Sequence, residues 1–153
     1  MPASLPPADA TGDAVRVAQT VAAGVGSVWW SLTAGRAAWW PGLHFAPVAG
    51  SPLVETWTED GAPRSATGEV VQCDAPALLA FRWREPEWAH ALEVTIRLAA
   101  AGTGTEVTLT ETGFATAGTP PTLPAEHAEG WRYHLERLRR ASETGSPEPA
   151  PRA

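Results

Sequence analysis

Apolar and polar residues alternate with a period of two along most of the chain, which is the pattern of strands with one buried face. Turn signals separate the runs, and Asp60-Gly61 is the strongest of them. The pattern predicts about six antiparallel strands, at residues 15–21, 53–59, 67–73, 79–84, 92–98 and 105–111.

Apolar residues recur at helical spacing in two other places. After the first strand, residues 25–42 indicate two short helices joined by a tight turn, and they hold four of the eight tryptophans. Near the C-terminus, Pro124 is suited to the first turn of a helix. The long helix that follows carries an apolar stripe made of Ala128, Trp131, Leu135 and Leu138.

The hairpin of the last two predicted strands has an expected register. Pairing Ile96 with Val107 places apolar side chains on one face and polar side chains on the other. In the strand at 67–73, Val70 and Val71 are adjacent. This strand is therefore either buried on both faces or bulged.

Length and composition indicate one domain. The chain has 153 residues, of which 44% are apolar and 18% charged, as in a soluble globular protein. Both ends are rich in proline and alanine and lack periodicity. We expect one domain at 14–141, with disordered tails at 1–13 and 142–153.

Charge and residue types exclude several functions. A net charge of −6 argues against nucleic-acid binding, which needs clustered cations. All eleven basic residues are arginines, so no lysine can form a Schiff base. Cys73 is the only cysteine, which excludes an intrachain disulfide and a multi-cysteine zinc site. No histidine spacing matches a zinc motif, and we predict no metal and no other cofactor.

Targeting signals are also missing from the sequence. No apolar run approaches the ~18 residues of a membrane span. The first fifteen residues contain no basic residue and no apolar core, so we expect no secretory signal. We therefore expect a cytoplasmic protein that does not bind membranes.

In the order of its elements and in its residues, the chain resembles the START-like, or helix-grip, superfamily, also called SRPBCC. Within it, the chain is similar to the branch named for the C-terminal domain of the heat-shock ATPase activator. The segments that carry the resemblance are Val28-Trp29, Leu32-Thr33, Trp39-Trp40-Pro41-Gly42, Asp60-Gly61, Thr67-Gly68-Glu69-Val70, Leu79-Ala80-Phe81-Arg82-Trp83, Gly104-Thr105-Glu106-Val107-Thr108-Leu109, Gly113-Phe114 and Gly130-Trp131. The resemblance implies an α+β fold in which a strongly twisted antiparallel sheet wraps around a long C-terminal helix. The branch has no shared catalytic motif, and its members include ligand binders, polyketide cyclases and dehydratases, resistance proteins and co-chaperone domains.

A sheet wrapped around one helix leaves a cavity that the helix cannot fill. Strand parity directs Glu55 and Glu111 into it, while His127 and His134 lie on the last helix. Burial among indoles would raise the pKa of a glutamate toward neutrality, as general acid–base catalysis requires. The candidate catalytic residues are Glu111, Glu55 and His134, with His127 as a second assisting group. Alternatively, these side chains lie in water at the cavity mouth or on a solvated helix flank.

The candidate ligand-binding side chains are mostly aromatic or aliphatic. In the first tryptophan pair, Trp29 shares the buried stripe of its helix and Trp30 cannot, while Trp88 lies in a loop where it could cover the cavity. The candidate set is Trp30, Trp40, Trp57, Phe81, Trp83, Trp88, Leu92, Val94, Leu109, His127 and Trp131. Ordinary core packing is the alternative for each of them.

Three functions remain open at this point. The first is binding of a small hydrophobic molecule, aromatic or polyketide-like, in the cavity between sheet and helix. The second is an acid–base enzyme, of the cyclase or dehydratase type, that acts on such a molecule. The third is a co-chaperone-like interaction module. We expect a monomer or a weak homodimer.

Overall fold

An eight-stranded antiparallel sheet packs on a long C-terminal helix in the computed structural model, which describes residues 9–11 and 13–144. The strands are β1 (Asp9–Thr11), β2 (Ala14–Val21), β3 (Leu43–Phe45), β4 (Pro52–Glu59), β5 (Ala62–Asp74), β6 (Leu78–Arg84), β7 (Leu92–Ala101) and β8 (Gly104–Thr112). The helices are α1 (Val25–Leu32), α2 (Phe114–Ala117) and α3 (Leu123–Thr144), with a 3₁₀ turn at Arg36–Ala38. The strand order is β1-β2-β8-β7-β6-β5-β4-β3.

The predicted helix-grip architecture is confirmed, with eight strands instead of about six. The additional strands, β1 and β3, have three residues each. Alternation between apolar and polar residues is not recognisable over three residues. Both strands instead depend on pairing with a longer neighbour. β1 pairs with β2 and lies in the predicted N-terminal tail. The other residues of the predicted tails, 1–8, 12 and 145–153, lie outside the described residues.

The turn between β4 and β5 is the predicted two-residue hairpin. Glu59 pairs with Ala62, and the two turn residues, Asp60 and Gly61, have φ angles of 53° and 80°. Positive φ at both central positions gives the twist that two antiparallel strands need, and Asp-Gly adopts it readily.

The register predicted for β7 and β8 is wrong by two residues. Ile96 pairs with Leu109, and Val107 pairs with Leu98. The turn consists of only Gly102 and Thr103, so both strands extend further than alternation alone indicated. A shift of two residues keeps each side chain on its predicted face.

The irregularity predicted in β5 is a bulge. The pairing with β6 shifts between Val70 and Gln72, so Val71 is the extra residue. Val70 is buried, whereas 42% of Val71 is exposed. The bulge allows one of two adjacent valines to face the core.

Helix α3 buries the stripe that its sequence predicts. Ala128, Trp131, Leu135 and Leu138 are all buried, and the helix packs against β2 and α1. The hydrophobic core lies between this stripe and the inner face of the sheet. Toward its N-terminal end, α3 instead faces a cavity opposite β4, β5 and β6.

Candidate functional site

The cavity between α3 and strands β4 to β6 has a volume of about 860 Å³. Five tryptophans from separate parts of the chain line it: Trp40, Trp57, Trp83, Trp88 and Trp131. Cavities of roughly 300–1,000 Å³ with apolar walls are typical of sites for small molecules.

The segment after α1 holds Trp40 in the cavity wall. The indole N–H of Trp39 donates to the carbonyl oxygen of Ser31 at 2.8 Å. The Arg36 guanidinium donates to the carbonyl oxygens of Leu43 at 2.7 Å and Phe45 at 3.1 Å. These bonds tie the 3₁₀ turn to α1 and β3, so Trp40 has a defined place between the two.

Glu111 of β8 lies beneath the cavity and is completely buried. Its carboxylate accepts hydrogen bonds from the indole N–H groups of Trp83 and Trp131, each at 2.8 Å. His127 Nδ1 lies 2.8 Å from the same carboxylate. Since a buried carboxylate needs hydrogen-bonding partners, these three contacts explain how the sheet and α3 accommodate it.

His127 forms the link between Glu111 and the cavity, which it also lines. Burial alone would lower the pKa of His127. The hydrogen bond to Glu111 and the negative charges of Glu111, Glu85 and Glu55 outweigh burial, so the pKa lies above its ordinary value of 6.5. The imidazolium form is thereby favoured, and with Glu111 it makes an ion pair.

Glu55 of β4 is a second carboxylate in the cavity wall. It accepts a hydrogen bond from the Trp40 indole N–H at 3.2 Å. Burial raises the pKa of Glu55 to about 7, although the Trp40 hydrogen bond and the charge of His127 oppose the shift. Near neutral pH this side chain can therefore give or take a proton.

His134 lies about two helical turns beyond His127 on α3 and also lines the cavity. Its ring stacks on Trp40, with a centroid distance of 3.8 Å and an angle of 9° between the planes. Burial, together with the positive charge of Arg137, lowers the pKa of His134 to about 4. The imidazole is therefore neutral at physiological pH.

The cavity mouth is acidic. Arg64 of β5 contacts Glu59, Glu85 and Glu87 at 3.8, 3.1 and 2.8 Å. Glu126, on the first turn of α3, is the fourth mouth carboxylate. Sequence reasoning missed all of these residues, although the run of acidic residues beside Trp88 was a signal for Glu85 and Glu87.

The structure brings eight of the predicted site residues together around the cavity. They are Glu55, His134, Trp40, Trp57, Trp83, Trp88, His127 and Trp131. Glu111 lies directly beneath them and reaches the cavity only through its hydrogen-bonding partners.

Five other predicted ligand-binding residues lie outside the wall of this cavity. Phe81, Leu92, Val94 and Leu109 are buried in the core and do not line the cavity. Strand parity predicts the face that a side chain occupies but not whether α3 covers it. Trp30 lines a separate groove with Trp39 and Arg137, because it is about 100° around α1 from Trp29.

Within the described residues, no group of three or more histidine, cysteine, aspartate or glutamate side chains could hold a metal ion. None of the helices in the described part of the chain has the length and apolar character that crossing a bilayer requires.

Comparisons with solved structures return the same fold. DynU16, a protein in the dynemicin biosynthetic locus, is 29% identical with a TM-score of 0.73, and the alignment covers 90% of this chain and 49% of that one. CalU16 from Micromonospora echinospora is 22% identical with a TM-score of 0.66, covering 86% of this chain and 76% of that one. The Aha1 dimer from Colwellia psychrerythraea is 18% identical with a TM-score of 0.69, and the alignment covers 87% of this chain and 98% of that one.

The sequence comparisons place this fold in a family. No match was found among curated proteins. The family model described as Activator of Hsp90 ATPase homolog 1-like protein matches residues 16–143, which include every element from β2 to α3 except the last residue of α3 and the first two of β2. The chain therefore belongs to the family of Activator of Hsp90 ATPase homolog 1-like proteins.

Proposed function

We propose that this protein binds a small hydrophobic molecule, aromatic or polyketide-like, in the cavity between α3 and strands β4 to β6. The observation that carries the proposal is the set of five indoles around a space of about 860 Å³. Each indole can remove roughly 150–250 Å² of surface from water and can stack on a flat ring. A ligand that fills this space would therefore gain most of its binding energy from apolar contact.

The relationship to DynU16 supports a small molecule as the partner. That protein is 29% identical to this chain and belongs to the dynemicin biosynthetic locus, although this chain spans only 49% of its length. The concave aromatic walls also favour a small molecule over a protein surface, because a protein partner would need a broad exposed apolar patch.

The proposal is tested by titrating the protein with a panel of polycyclic aromatic molecules. Tryptophan fluorescence and the melting temperature are the readouts, since a ligand that binds only the folded protein raises its stability. We expect quenching and a higher melting temperature for at least one compound. If the whole panel leaves both readouts unchanged, the proposal is wrong.

Two matched variants locate the binding site. Trp57 is half-buried and lines the cavity, whereas Trp30 is half-buried and lines the separate groove. Trp57→Leu should weaken binding about tenfold, which corresponds to ~1.4 kcal/mol. Trp30→Leu should leave the affinity unchanged; an equal loss in both variants would contradict binding in the cavity.

Acid–base catalysis on the bound molecule is a second candidate function, and the position of Glu55 favours it. This carboxyl lines the cavity with its pKa raised to about 7, where a general acid or base is effective. His127 is the second proton-exchanging group in the wall. Glu111 is buried and would act by positioning His127, not by touching the ligand.

The test of this second function is mass spectrometry of each bound compound after incubation with the protein. Glu55→Gln should remove any conversion while the compound still binds. If Glu55→Gln converts the compound at the unchanged rate, Glu55 is not the catalytic group.

A further inference from the structure

Hydrogen-bond donors in the cavity are largely occupied. Four of its five indoles donate their N–H group to a carboxylate: Trp40 to Glu55, Trp57 to Glu59, and both Trp83 and Trp131 to Glu111. His127 uses Nδ1 for Glu111 as well. These donors are therefore already used within the protein, whereas carboxylate oxygens and the faces of aromatic rings make up much of the cavity wall.

The charges of the wall are strongly unequal. Five glutamates line the cavity, namely Glu55, Glu59, Glu85, Glu87 and Glu126, against a single arginine, Arg64. Arg64 already contacts three of these carboxylates. Among residues 13–144, neither Glu55 nor Glu126 has a cationic side chain within ion-pair distance.

The only other cationic group in the wall is His127, and its charge is matched by Glu111 beneath it. The negative potential of the remaining glutamates is therefore not balanced from within the cavity. Walls of low polarity strengthen this potential because they exclude water.

The aromatic rings add to the same preference. The face of an indole carries negative charge density and attracts cations, most strongly where the pair is desolvated. A carboxylate that accepts the indole N–H polarises the ring further in this direction. Four of the five cavity indoles have such a carboxylate at their edge.

We infer that the ligand is a cation: an aromatic or otherwise apolar molecule that carries an amine or quaternary ammonium group. Its apolar part packs on the indoles of the cavity, and its positive group lies near Glu55 and the mouth glutamates. The inference rests on the proposed ligand-binding function and adds the charge of the ligand to it.

The pKa shifts of two cavity carboxyls agree with this assignment. Burial raises the pKa of Glu55 to about 7 and also raises that of Glu85, despite the opposing charge of Arg64. A bound cation would lower both pKa values and so favour the charged carboxylates.

Three naphthyl probes, of which the cation and the neutral compound have the same shape, separate the charge from the apolar contact. They are (naphthalen-1-ylmethyl)trimethylammonium, its neutral carbon analogue 1-neopentylnaphthalene, and the anion 1-naphthylacetate. With the natural chain at pH 8 and low ionic strength, we expect the cation to bind at least about tenfold more tightly than the neutral analogue. The anion should bind more weakly than either.

The outcomes distinguish the two proposals. If the neutral analogue or the anion binds as tightly as the cation, the inferred charge is wrong and the proposed hydrophobic site stands. If none of the three binds, the result counts against the hydrophobic site itself and removes the inference with it. Of the three affinities, only the affinity for the cation should fall as salt is added, since screening weakens the attraction between opposite charges.

A pair of variants on α3 tests the glutamates without disturbing the fold. Glu126 and Glu129 are both exposed, and only Glu126 lines the cavity. Glu126→Gln should weaken binding of the cationic probe about two- to fivefold and leave the neutral probe unchanged. Glu129→Gln changes the net charge equally and should have no effect; an equal loss in both variants would overturn a contact at the cavity mouth.

Discussion

The buried carboxylate of Glu111 shows how one residue can connect the sheet, the long helix and the cavity. Two indoles and one imidazole surround it, and all three present a nitrogen to its two oxygens. Only a carboxylate can accept from three donors in this arrangement without presenting a donor of its own. The residue therefore contributes to stability first, and to the chemistry of the cavity through His127.

Replacing this carboxylate should destabilise the protein strongly. Glu111→Gln leaves an amide N–H₂ against an indole or imidazole donor and removes the charge that His127⁺ needs. We expect a loss of about 3–5 kcal/mol in the free energy of unfolding, measured by urea denaturation. Glu106→Gln, at an exposed position on the same strand, should change it by less than about 0.5 kcal/mol. A loss equally small in Glu111→Gln would show that the three contacts do not stabilise the fold.

Glu55 should make stability depend on pH in a defined window. Its pKa is about 7 in the folded protein against an ordinary value of 4.5. The folded state therefore holds the proton more tightly, and this group's contribution to stability falls as the pH rises from about 4.5 to about 7. His127 and Trp40 oppose the shift, while Glu85 and Glu111 add to it.

The Glu55→Gln variant isolates this contribution. It keeps an acceptor for the Trp40 indole but cannot ionise. Relative to the natural chain, the variant should gain about 1–3 kcal/mol between pH 5 and pH 8 in urea denaturation. A difference between the two proteins that is the same at both pH values would contradict a raised pKa.

For single residues, the sequence predicts which face of the sheet a side chain occupies better than it predicts which residues that side chain contacts. Alternation alone placed Glu55 and Glu111 on the inner face. The donors to Glu111 come from residues 20 and 28 positions away, Trp131 and Trp83. No local pattern encodes such a contact, since it depends on how α3 crosses the sheet.

Helix α3 contributes side chains both to the core and to the cavity wall. Leu135 and Leu138 pack in the core, while His127, Gly130, Trp131 and His134 border the cavity. Gly130 is a weak helix former in the middle of the helix, and a Cβ atom added there would meet no heavy atom within 4 Å. Its missing side chain leaves room in the cavity wall.

A side chain at position 130 should raise the stability of the protein and lower its affinity for bulky ligands. Gly130→Ala should stabilise the protein by about 0.5–1 kcal/mol through helix propensity and narrow the cavity. Gly26→Ala in α1 is the control, because its Cβ would also meet nothing within 4 Å and lies away from the cavity. Both variants should melt at higher temperature, and only Gly130→Ala should bind bulky aromatic probes more weakly. Unchanged affinity in Gly130→Ala would show that ligands do not approach this turn of α3.

Strands and helices of seven or more residues were predictable, and the strands of three residues were not. The alternating strands and the α3 stripe each repeat their pattern several times. The strands β1 and β3 do not, and the β7–β8 register depended on a turn of two residues hidden in an alanine- and glycine-rich run. Side chains on one face stayed on that face, because a shift of two residues preserves parity.

At the scale of the whole molecule, the fold divides its inner surface into a dry core and an open cavity. α3 packs on β2 and α1, while β4, β5 and β6 form the opposite wall of the cavity. The cavity also concentrates much of the acidic charge of a chain whose net charge is −6. Composition gave the sign of that charge, but only the fold shows that it gathers at one mouth.

Arg64 should therefore moderate the attraction of the cavity for cations. It neutralises part of the charge of Glu59, Glu85 and Glu87. Arg64→Gln removes this counter-charge and should raise affinity for the cationic naphthyl probe about two- to fivefold at low ionic strength. The gain should disappear in about 0.5 M salt, where the Debye length is only several ångströms.

A matched arginine makes this result specific to the mouth. Arg82 is exposed on β6, outside the cavity wall, and lies 4.0 Å from Glu69. Arg82→Gln changes the net charge by the same amount and should leave probe affinity unchanged. If Arg64→Gln instead lowers the affinity for the cationic and the anionic probe alike, Arg64 serves to maintain the shape of the cavity mouth. If it lowers only the affinity for the anion 1-naphthylacetate, Arg64 itself contacts the ligand. The cavity would then select a negative ligand, although its glutamates favour a positive one.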